Sequence, residues 1–314
     1  MTAERKEKTP RGVGVARVHA QMLLVRGLIA TSFPVGAAIT HGLEPAMLTL
    51  LRFVLASLLF APFVAVRHGI ALPTPRALAG YAAISACMVI FFWSMFEALR
   101  WTSALNAATL FTLVPGIAAC YAAFLVRERL GSRRLAAIGL GLVGAVWVVF
   151  RGDPAALVSF AFNKGDLIFF GGCLVLGLYA PLVRRFNRGE PAAVMTFWVL
   201  LTGTGWLVLL NNTAIWTTDW SGIDLGVFAG IAYLAVFTTI LSFFIQQHAT
   251  LRIGPTRVTS YSYLNPALVV LIEWIAGKGL PPLIVLPGVA IILAATFVVQ
   301  TGAGKDQDPR PTTT

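Results

Sequence analysis

Long apolar stretches separated by short polar breaks dominate the pattern of this 314-residue chain. A helix needs about 20 apolar residues to cross the hydrocarbon core of a bilayer. No stretch shows the alternating pattern of a barrel strand, so helices are the structure that pairs the backbone in lipid. The pattern predicts an all-α integral membrane protein with ten transmembrane helices, at 19–40, 44–66, 76–98, 102–125, 133–150, 165–183, 191–211, 224–247, 256–276 and 281–301.

Composition supports this class of protein. Hydrophobic residues make up 57% of the chain and charged residues only 12%, which is too little polar side chain to cover a soluble domain. A net charge of +11 would indicate nucleic-acid binding if the chain were soluble. In a membrane protein, the distribution of basic residues between the loops instead indicates the orientation in the membrane. We therefore expect the lipid bilayer as a partner, and no nucleic acid.

Lysine and arginine residues fall unevenly between the predicted spans. With the amino terminus in the cytoplasm, 18 of the 24 lie on the cytoplasmic side, and Arg26 and Arg52 lie within spans. This asymmetry predicts that both termini are cytoplasmic, with residues 1–18 and 302–314 as tails. The stretch after the first tail has no small-residue cleavage site, which argues against a signal peptide. The basic residues on the outer side are Arg100, Arg151, Lys164 and Lys278.

The chain contains a weak internal repeat. A Glu-Pro-Ala motif at 44–46 returns at 190–192, each time at the start of the second of five consecutive spans. Because each unit has an odd number of spans, the second copy enters the bilayer upside down. The sequence therefore predicts two inverted five-helix repeats, 19–150 and 165–301. A shift of 151 residues aligns further pairs, Phe92 with Phe243 and Pro115 with Pro266.

Several motifs of the first repeat resemble a known family. They are Leu51-Arg52-Phe53, Ala98-Leu99-Arg100-Trp101-Thr102-Ser103-Ala104, Val114-Pro115 and Arg127-Glu128-Arg129-Leu130-Gly131. Over nearly its whole length the chain resembles an EamA-type member of the drug/metabolite transporter superfamily, and it is most similar there to bacterial aromatic amino acid exporters. The resemblance implies a bacterial inner (plasma) membrane, ten helices in two inverted repeats, and a central cavity lined mainly by helices 1, 3, 4, 6, 8 and 9.

Polar residues share helix faces on four of the predicted spans, the third, fourth, eighth and ninth. Such stripes favour a central cavity, and the tyrosines offer ring faces for an aromatic substrate. Taken singly, a Ser, Thr or Asn is as readily explained by helix-packing hydrogen bonds of about 0.6 kcal/mol. The candidate substrate-binding residues are Tyr81, Ser85, Phe92, Asn106, Thr109, Tyr179, Gln246 and Ser262.

Ionisable groups within spans are costly and need a partner or water. Three roles are open to Arg52 and Glu273. They can form a structural pair, Arg52 can receive a substrate carboxylate, or Glu273 can bind a substrate ammonium or a coupling proton. Proton coupling therefore stays open. Arg26 is expected to snorkel towards the headgroups, and Glu97 with Arg100 to form a local ion pair.

Prolines in mid-span are candidate hinges, because each removes a backbone hydrogen bond and bends its helix. They are Pro34, Pro115 and Pro266, and bent helices are also common in static bundles. Small residues at 137, 141 and 145 form a ridge for close helix packing, either within the chain or across a homodimer.

Cysteine and histidine residues show no pattern of a cofactor site. Cys87, Cys120 and Cys173 lie inside apolar runs and are expected to be buried thiols. The four histidines lie at span ends without ligand spacing, so we expect no metal and no cofactor.

Three function classes compete. An embedded enzyme needs a nucleophile with a base, or a metal cluster, and the sequence shows neither. A channel needs a ring of charged or carbonyl groups, which a two-copy inverted repeat does not supply. We favour a secondary transporter that exports aromatic or other bulky neutral amino acids by alternating access. Export of other drugs or metabolites is the alternative.

Overall fold

Helices account for almost all of the chain that the structure, a computed structural model, describes. These residues are 11–102, 104–127, 131–149, 153, 155, 163–211, 213–278 and 283–301, and none of them lies in a strand. Six helices or helix pairs are long and apolar enough to cross a membrane. They are Ala16–Ile39, Pro45–His68, Pro75–Ala98, Lys164–Phe186, Ala192–Leu210 and Leu225–Ile253. The prediction of an all-helical, multi-pass membrane protein is confirmed.

The helices follow the predicted segments in order. Shorter apolar helices, Val114–Leu125, Leu135–Gly144, Ala267–Gly277 and Leu286–Val298, occupy the four other predicted spans, so the count of ten stays a prediction. The helices are α1 Arg11–Ile39, α2 Pro45–His68, α3 Pro75–Ala98, α4 Ala104–Phe111, α5 Val114–Leu125, α6 Ser132–Val149, α7 Lys164–Leu176, α8 Tyr179–Phe186, α9 Ala192–Leu210, α10 Ala214–Thr217, α11 Leu225–Tyr233, α12 Ser242–Ile253, α13 Pro255–Ser260, α14 Leu264–Glu273 and α15 Leu286–Thr301.

Turns interrupt three of the predicted spans shortly before a proline. α4 and α5 are separated by a turn at 112–113, two residues before Pro115. α7 and α8 are separated at 177–178, before Pro181, and a 3₁₀ turn at Tyr261–Tyr263 precedes Pro266. A proline lacks the N–H that would bond the carbonyl four residues earlier, which weakens the helix in the preceding turn, where these three breaks lie.

A π-helical segment, Leu234–Leu241, joins α11 to α12 within one long span. Threonine side chains bond back to its backbone: the hydroxyls of Thr238 and Thr239 both donate to the carbonyl of Leu234, at 2.9 and 3.0 Å. π-Helical turns are rare and occur often at functional sites. This one lies directly beside the cavity described below.

The connections between helices gather at two ends of the bundle. The Arg188 side chain donates to Thr74 Oγ1 (3.4 Å) and that of Arg185 to the Leu125 carbonyl (3.0 Å), so the connections after α2, α5 and α8 meet. We call this the arginine-rich end. At the opposite end, Arg100 donates to the carbonyls of Thr40 and Leu43, both at 3.2 Å.

Two smaller predictions are decided by side-chain positions. Arg100 lies 3.9 Å from Glu97, which confirms the local ion pair. The expectation of buried thiols holds for Cys87 and Cys173 but is wrong for Cys120, which is exposed. Cys120 lies one turn before the exposed Phe124 and shares the outward face of α5.

The small-residue ridge of α6 packs within the chain. A Cβ added at Gly141 would lie 3.0 Å from the Tyr263 ring, and one at Gly144 would lie 2.8 Å from Ile291 of α15. The side chain at 145 lies outside the described residues. Ala137, the other described residue of the ridge, is buried as well. Since the described part of the ridge is covered within the chain, it supplies no free face for a homodimer.

Candidate functional site

A cavity lies among the helices, and its empty space, including the part open to the surroundings, measures about 670 Å³. Its walls come from α1, α3, α4, α5, α7, α8, the π-helical segment, α12, α13 and the 3₁₀ turn. These elements belong to predicted spans 1, 3, 4, 6, 8 and 9, the set that the family resemblance implies. The lining residues are Arg26, Ile29, Ser32, Phe33, Phe91, Phe92, Met95, Phe111, Val114, Leu176, Tyr179, Ala180, Thr238, Phe243, Gln246, Thr250, Val258, Thr259 and Ser262.

Six aromatic rings form much of the wall. They contact one another edge-on or tilted, with centroids 5.7 Å apart for Phe92 and Phe243 and 5.4 Å apart for Tyr179 and Phe243. Phe111 joins this group through Phe91, at 5.5 Å. Aromatic pairs prefer such offset or edge-to-face geometries. The sixth ring of the wall is Phe33, which lies 5.7 Å from Phe111.

One positive charge faces the cavity. The side chain of Arg26 on α1 is only 2% exposed, and its Nη2 donates to Gln246 Oε1 (3.0 Å) and to the Val258 carbonyl (3.1 Å). The expectation that Arg26 snorkels to the headgroups is therefore wrong. Two acceptors on α12 and α13 hold the guanidinium inside the bundle instead, at the cavity wall.

Arg52 is buried behind the cavity wall. Its Nε donates to Thr239 Oγ1 (2.6 Å) and its Nη2 to Thr238 Oγ1 (2.7 Å), both in the π-helical segment. The Phe92 ring stacks on the guanidinium with its centroid 3.8 Å from Cζ. Phe92 and Thr238 line the cavity, whereas Arg52 itself does not.

The cavity brings together four of the eight candidate substrate-binding residues, namely Phe92, Tyr179, Gln246 and Ser262. Tyr81 instead donates to Glu190 Oε1 (3.0 Å) near the arginine-rich end. Ser85 accepts a hydrogen bond from Thr202 Oγ1 (3.0 Å), between α3 and α9. Asn106 of α4 is half-buried and is not part of the lining. The side chains of Thr109, Glu273 and Pro266 lie outside the described residues.

The other two hinge candidates differ in their local structure. α1 runs through Pro34 without an interruption, whereas Pro115 is buried and follows the turn between α4 and α5. That turn lies beside the cavity, since Phe111 and Val114 on either side of it both line the wall.

Sequence reasoning missed the α1 face of the cavity. Arg26, Ile29 and Phe33 all line it and are spaced i, i+3 and i+7, which places them on one side of a helix. That spacing, combined with an arginine inside an apolar span, is the signal that could have identified the face. The π-helical Thr238 left no comparable pattern, because its position depends on how the span is wound.

The cavity has the character of a small-molecule site. Pockets for small molecules are mostly apolar and hold a few fixed polar groups, as this cavity does. Among the described residues, no three His, Cys, Asp or Glu side chains are grouped to hold a metal ion. A bundle of membrane-spanning helices around such a cavity defines a membrane transporter of small molecules.

The chain belongs to the EamA-like transporter family, whose model matches residues 20–150 and 163–301. It is 26% identical over 216 residues to the "Uncharacterized transporter YyaM" of Bacillus subtilis, covering 68% of this chain and 69% of that one. It is also 23% identical over 290 residues to an "Uncharacterized transporter" of Archaeoglobus fulgidus, covering 90% of this chain and 97% of that one. A solved crystal structure shares the fold with a TM-score of 0.72 at 20% identity, over 90% of this chain and 98% of that one.

Proposed function

We propose that the protein exports aromatic or other bulky neutral amino acids from the cytoplasm by alternating access. The observation that carries this proposal is the cavity with six aromatic rings and a few polar groups in its wall. An aromatic side chain gains from both burial and ring contacts in such a wall, the latter contributing about 0.5–1.5 kcal/mol per pair. The aromatic part of the wall would contact that side chain, and the polar groups would bind the amino and carboxylate groups of the amino acid.

A backbone carbonyl at one proline break supports recognition of an amino group. Pro115 cannot donate to the carbonyl of Phe111, because proline has no N–H. Phe111 lines the cavity. Carbonyls that lose their helical donor in interrupted helices are groups that transporters use to coordinate cations, and a substrate ammonium is such a cation.

We further propose that the two matched ranges are inverted repeats that rock around this cavity, with the arginine-rich end in the cytoplasm. The match of one family model to both halves and the distribution of basic residues support this arrangement. Thr250 lies three residues before the end of α12 and Val258 three residues after the start of α13. Gln247 of α12 accepts a hydrogen bond from Thr196 (2.6 Å), near the start of α9 at the arginine-rich end. The cavity therefore extends towards this end, the side from which cytoplasmic substrate would enter.

Transport by purified protein in liposomes tests the proposal. We expect uptake of labelled Phe, Trp and Tyr above that of empty vesicles, and absence of such uptake would reject it. A pH gradient added in parallel measures proton coupling, and Glu273→Gln then tests Glu273 as the coupling residue. Unchanged gradient dependence in that variant would remove Glu273 from this role.

A matched pair of variants tests whether the ring wall binds the substrate. Phe243→Leu removes a ring of the cavity wall, whereas Phe237→Leu removes an exposed ring from the same span. We expect the first to raise the KM for tryptophan roughly 2- to 10-fold and the second to leave it unchanged. Equal KM values for the two variants would show that the substrate does not contact this wall.

A further inference from the structure

We propose that the Arg26 guanidinium binds the substrate carboxylate. When the cavity is empty, the side chain of Gln246 occupies the position on the guanidinium that the carboxylate would take. The proposal rests on the proposed function only for the identity of the cargo. It assigns a ligand class, aromatic carboxylates, to the Arg26 side chain, which the sequence pattern predicted to lie at the membrane interface.

Arg26 is a buried charge whose observed partners are both neutral. Its two hydrogen bonds reach a carboxamide oxygen and a backbone carbonyl. The ion pair found among the described residues, Glu97 with Arg100, lies at the opposite end. Burying a cation is costly unless an opposite charge compensates it. The cavity wall therefore lacks a negative charge at this position, and a substrate carboxylate would supply it.

The guanidinium also has a suitable vacant donor. Nε and Nη2 lie on one edge of the group, where a carboxylate binds through two parallel N–H···O bonds. Nη2 is held by Gln246, and Nε is buried without a hydrogen-bond partner among the described residues. A carboxylate that displaced the Gln246 oxygen would satisfy both nitrogens. Gln246 lines the same cavity, so a ligand bound there reaches the hydrogen bond between Gln246 and Arg26.

Arg52 shows what the same edge looks like when it is fully used. Its Nε and Nη2 are both taken by threonine hydroxyls, at 2.6 and 2.7 Å. The Phe92 ring covers one face of the group and separates it from the cavity. Of the two buried arginines, Arg26 is the one whose carboxylate-binding edge is incomplete and which faces the cavity.

Competition between indole compounds tests the charge requirement. Indole-3-propionate keeps the carboxylate of tryptophan and lacks the amino group. Tryptamine keeps the amino group and lacks the carboxylate. We expect indole-3-propionate to bind the wild-type protein in detergent and to compete with tryptophan. In Arg26→Gln the affinity for both carboxylates should fall roughly 10- to 100-fold, with the affinity for tryptamine unchanged. The control is Arg252→Gln, which removes an exposed charge at the end of α12.

A second variant keeps the test valid if Arg26→Gln fails to fold. Gln246→Glu places a carboxylate on the guanidinium from within the chain. We expect a higher melting temperature, because the buried charge gains a counter-ion, together with loss of binding of tryptophan and indole-3-propionate. A higher melting temperature with unchanged carboxylate affinity would show that Arg26 is purely structural and would overturn the proposal.

The outcomes separate this inference from the proposed function. If wild-type protein transports no amino acid but binds indole-3-propionate through Arg26, the export proposal fails and the carboxylate site stands. If tryptophan transport and affinity survive in Arg26→Gln, the carboxylate site is wrong and the export proposal stands. Competition by tryptamine as strong as that by indole-3-propionate would also overturn the assignment.

Discussion

Two arginines are buried among the residues whose side chains are described, and their environments differ in a way that burial alone does not show. Arg52 is 0% exposed and Arg26 is 2% exposed. The Arg52 edge is closed by two hydroxyls whose own protons are used within the π-helical segment, since Thr238 and Thr239 both donate to Leu234. The hydroxyl oxygens are thereby oriented as acceptors, which explains how a guanidinium is stabilised there by neutral groups.

Removing one hydrogen-bond acceptor of Arg52 should lower the stability of the protein, because a buried donor then lacks its partner. Thr239→Val leaves Nε buried without a partner, and we expect the free energy of unfolding to fall by about 1–3 kcal/mol. In an Arg52→Met background the same substitution should cost much less, because no charge is left unpaired. Denaturant unfolding in detergent of the single and double variants measures the difference. Thr49→Val is the control, since the Thr49 hydroxyl donates to the Pro45 carbonyl in its own helix (2.7 Å). Equal costs in both backgrounds would contradict the account.

Helical periodicity led to three of the four predicted cavity residues, Phe92, Gln246 and Ser262, but did not give the depth of a residue along its stripe. Tyr81, Ser85 and Phe92 share a stripe on α3, yet only Phe92 lines the cavity, because the stripe runs along most of the helix and the cavity meets a part of it. Arg26 was misplaced for a different reason. Its partner Gln246 is 220 residues away in sequence, and a contact of that range leaves no local pattern.

At the scale of elements, the interruptions that border the cavity are of two different origins. The break between α4 and α5 follows from Pro115 and was foreseeable from its position in mid-span. The π-helical segment contains no proline, and the sequence pattern of Leu234–Leu241 did not predict its π-helical winding. Its side-chain hydrogen bonds and its contacts with Arg52 are tertiary features, which sequence periodicity does not report.

Restoring the helix at Pro115 tests whether that break acts as a hinge. Pro115→Ala supplies an N–H for the Phe111 carbonyl, so the free energy of unfolding should rise by up to about 3 kcal/mol. If rocking needs this bend, transport should slow several-fold while the stability increases. Pro62→Ala is the matched control, because Pro62 is exposed and α2 continues through it without a turn. Transport in Pro115→Ala that equals transport in Pro62→Ala would exclude a hinge at this position.

At the scale of the molecule, basic residues and helix connections give one consistent picture of two ends. Three connections that the charge distribution assigns to the cytoplasm, those after α2, α5 and α8, meet at the arginine-rich end. The sequence could predict this sorting because short loops carry the charge bias one by one. It could not predict where the α6 ridge packs, since a small-residue face fits an internal helix as well as a second subunit.

Labelling of single cysteines in intact cells decides the proposed orientation. In a parent with Cys87, Cys120 and Cys173 replaced by Ala, Ser221→Cys lies in the exposed connection before α11 and Ser132→Cys at the exposed start of α6. Because the charge bias places the arginine-rich end in the cytoplasm, we expect a membrane-impermeant maleimide to label Ser221→Cys in intact cells. Ser132→Cys should be labelled only after the membrane is opened, and the cysteine-free parent in neither case. Labelling of Ser132→Cys from outside, with Ser221→Cys protected, would invert the orientation and turn the proposed exporter's cytoplasmic entrance towards the exterior.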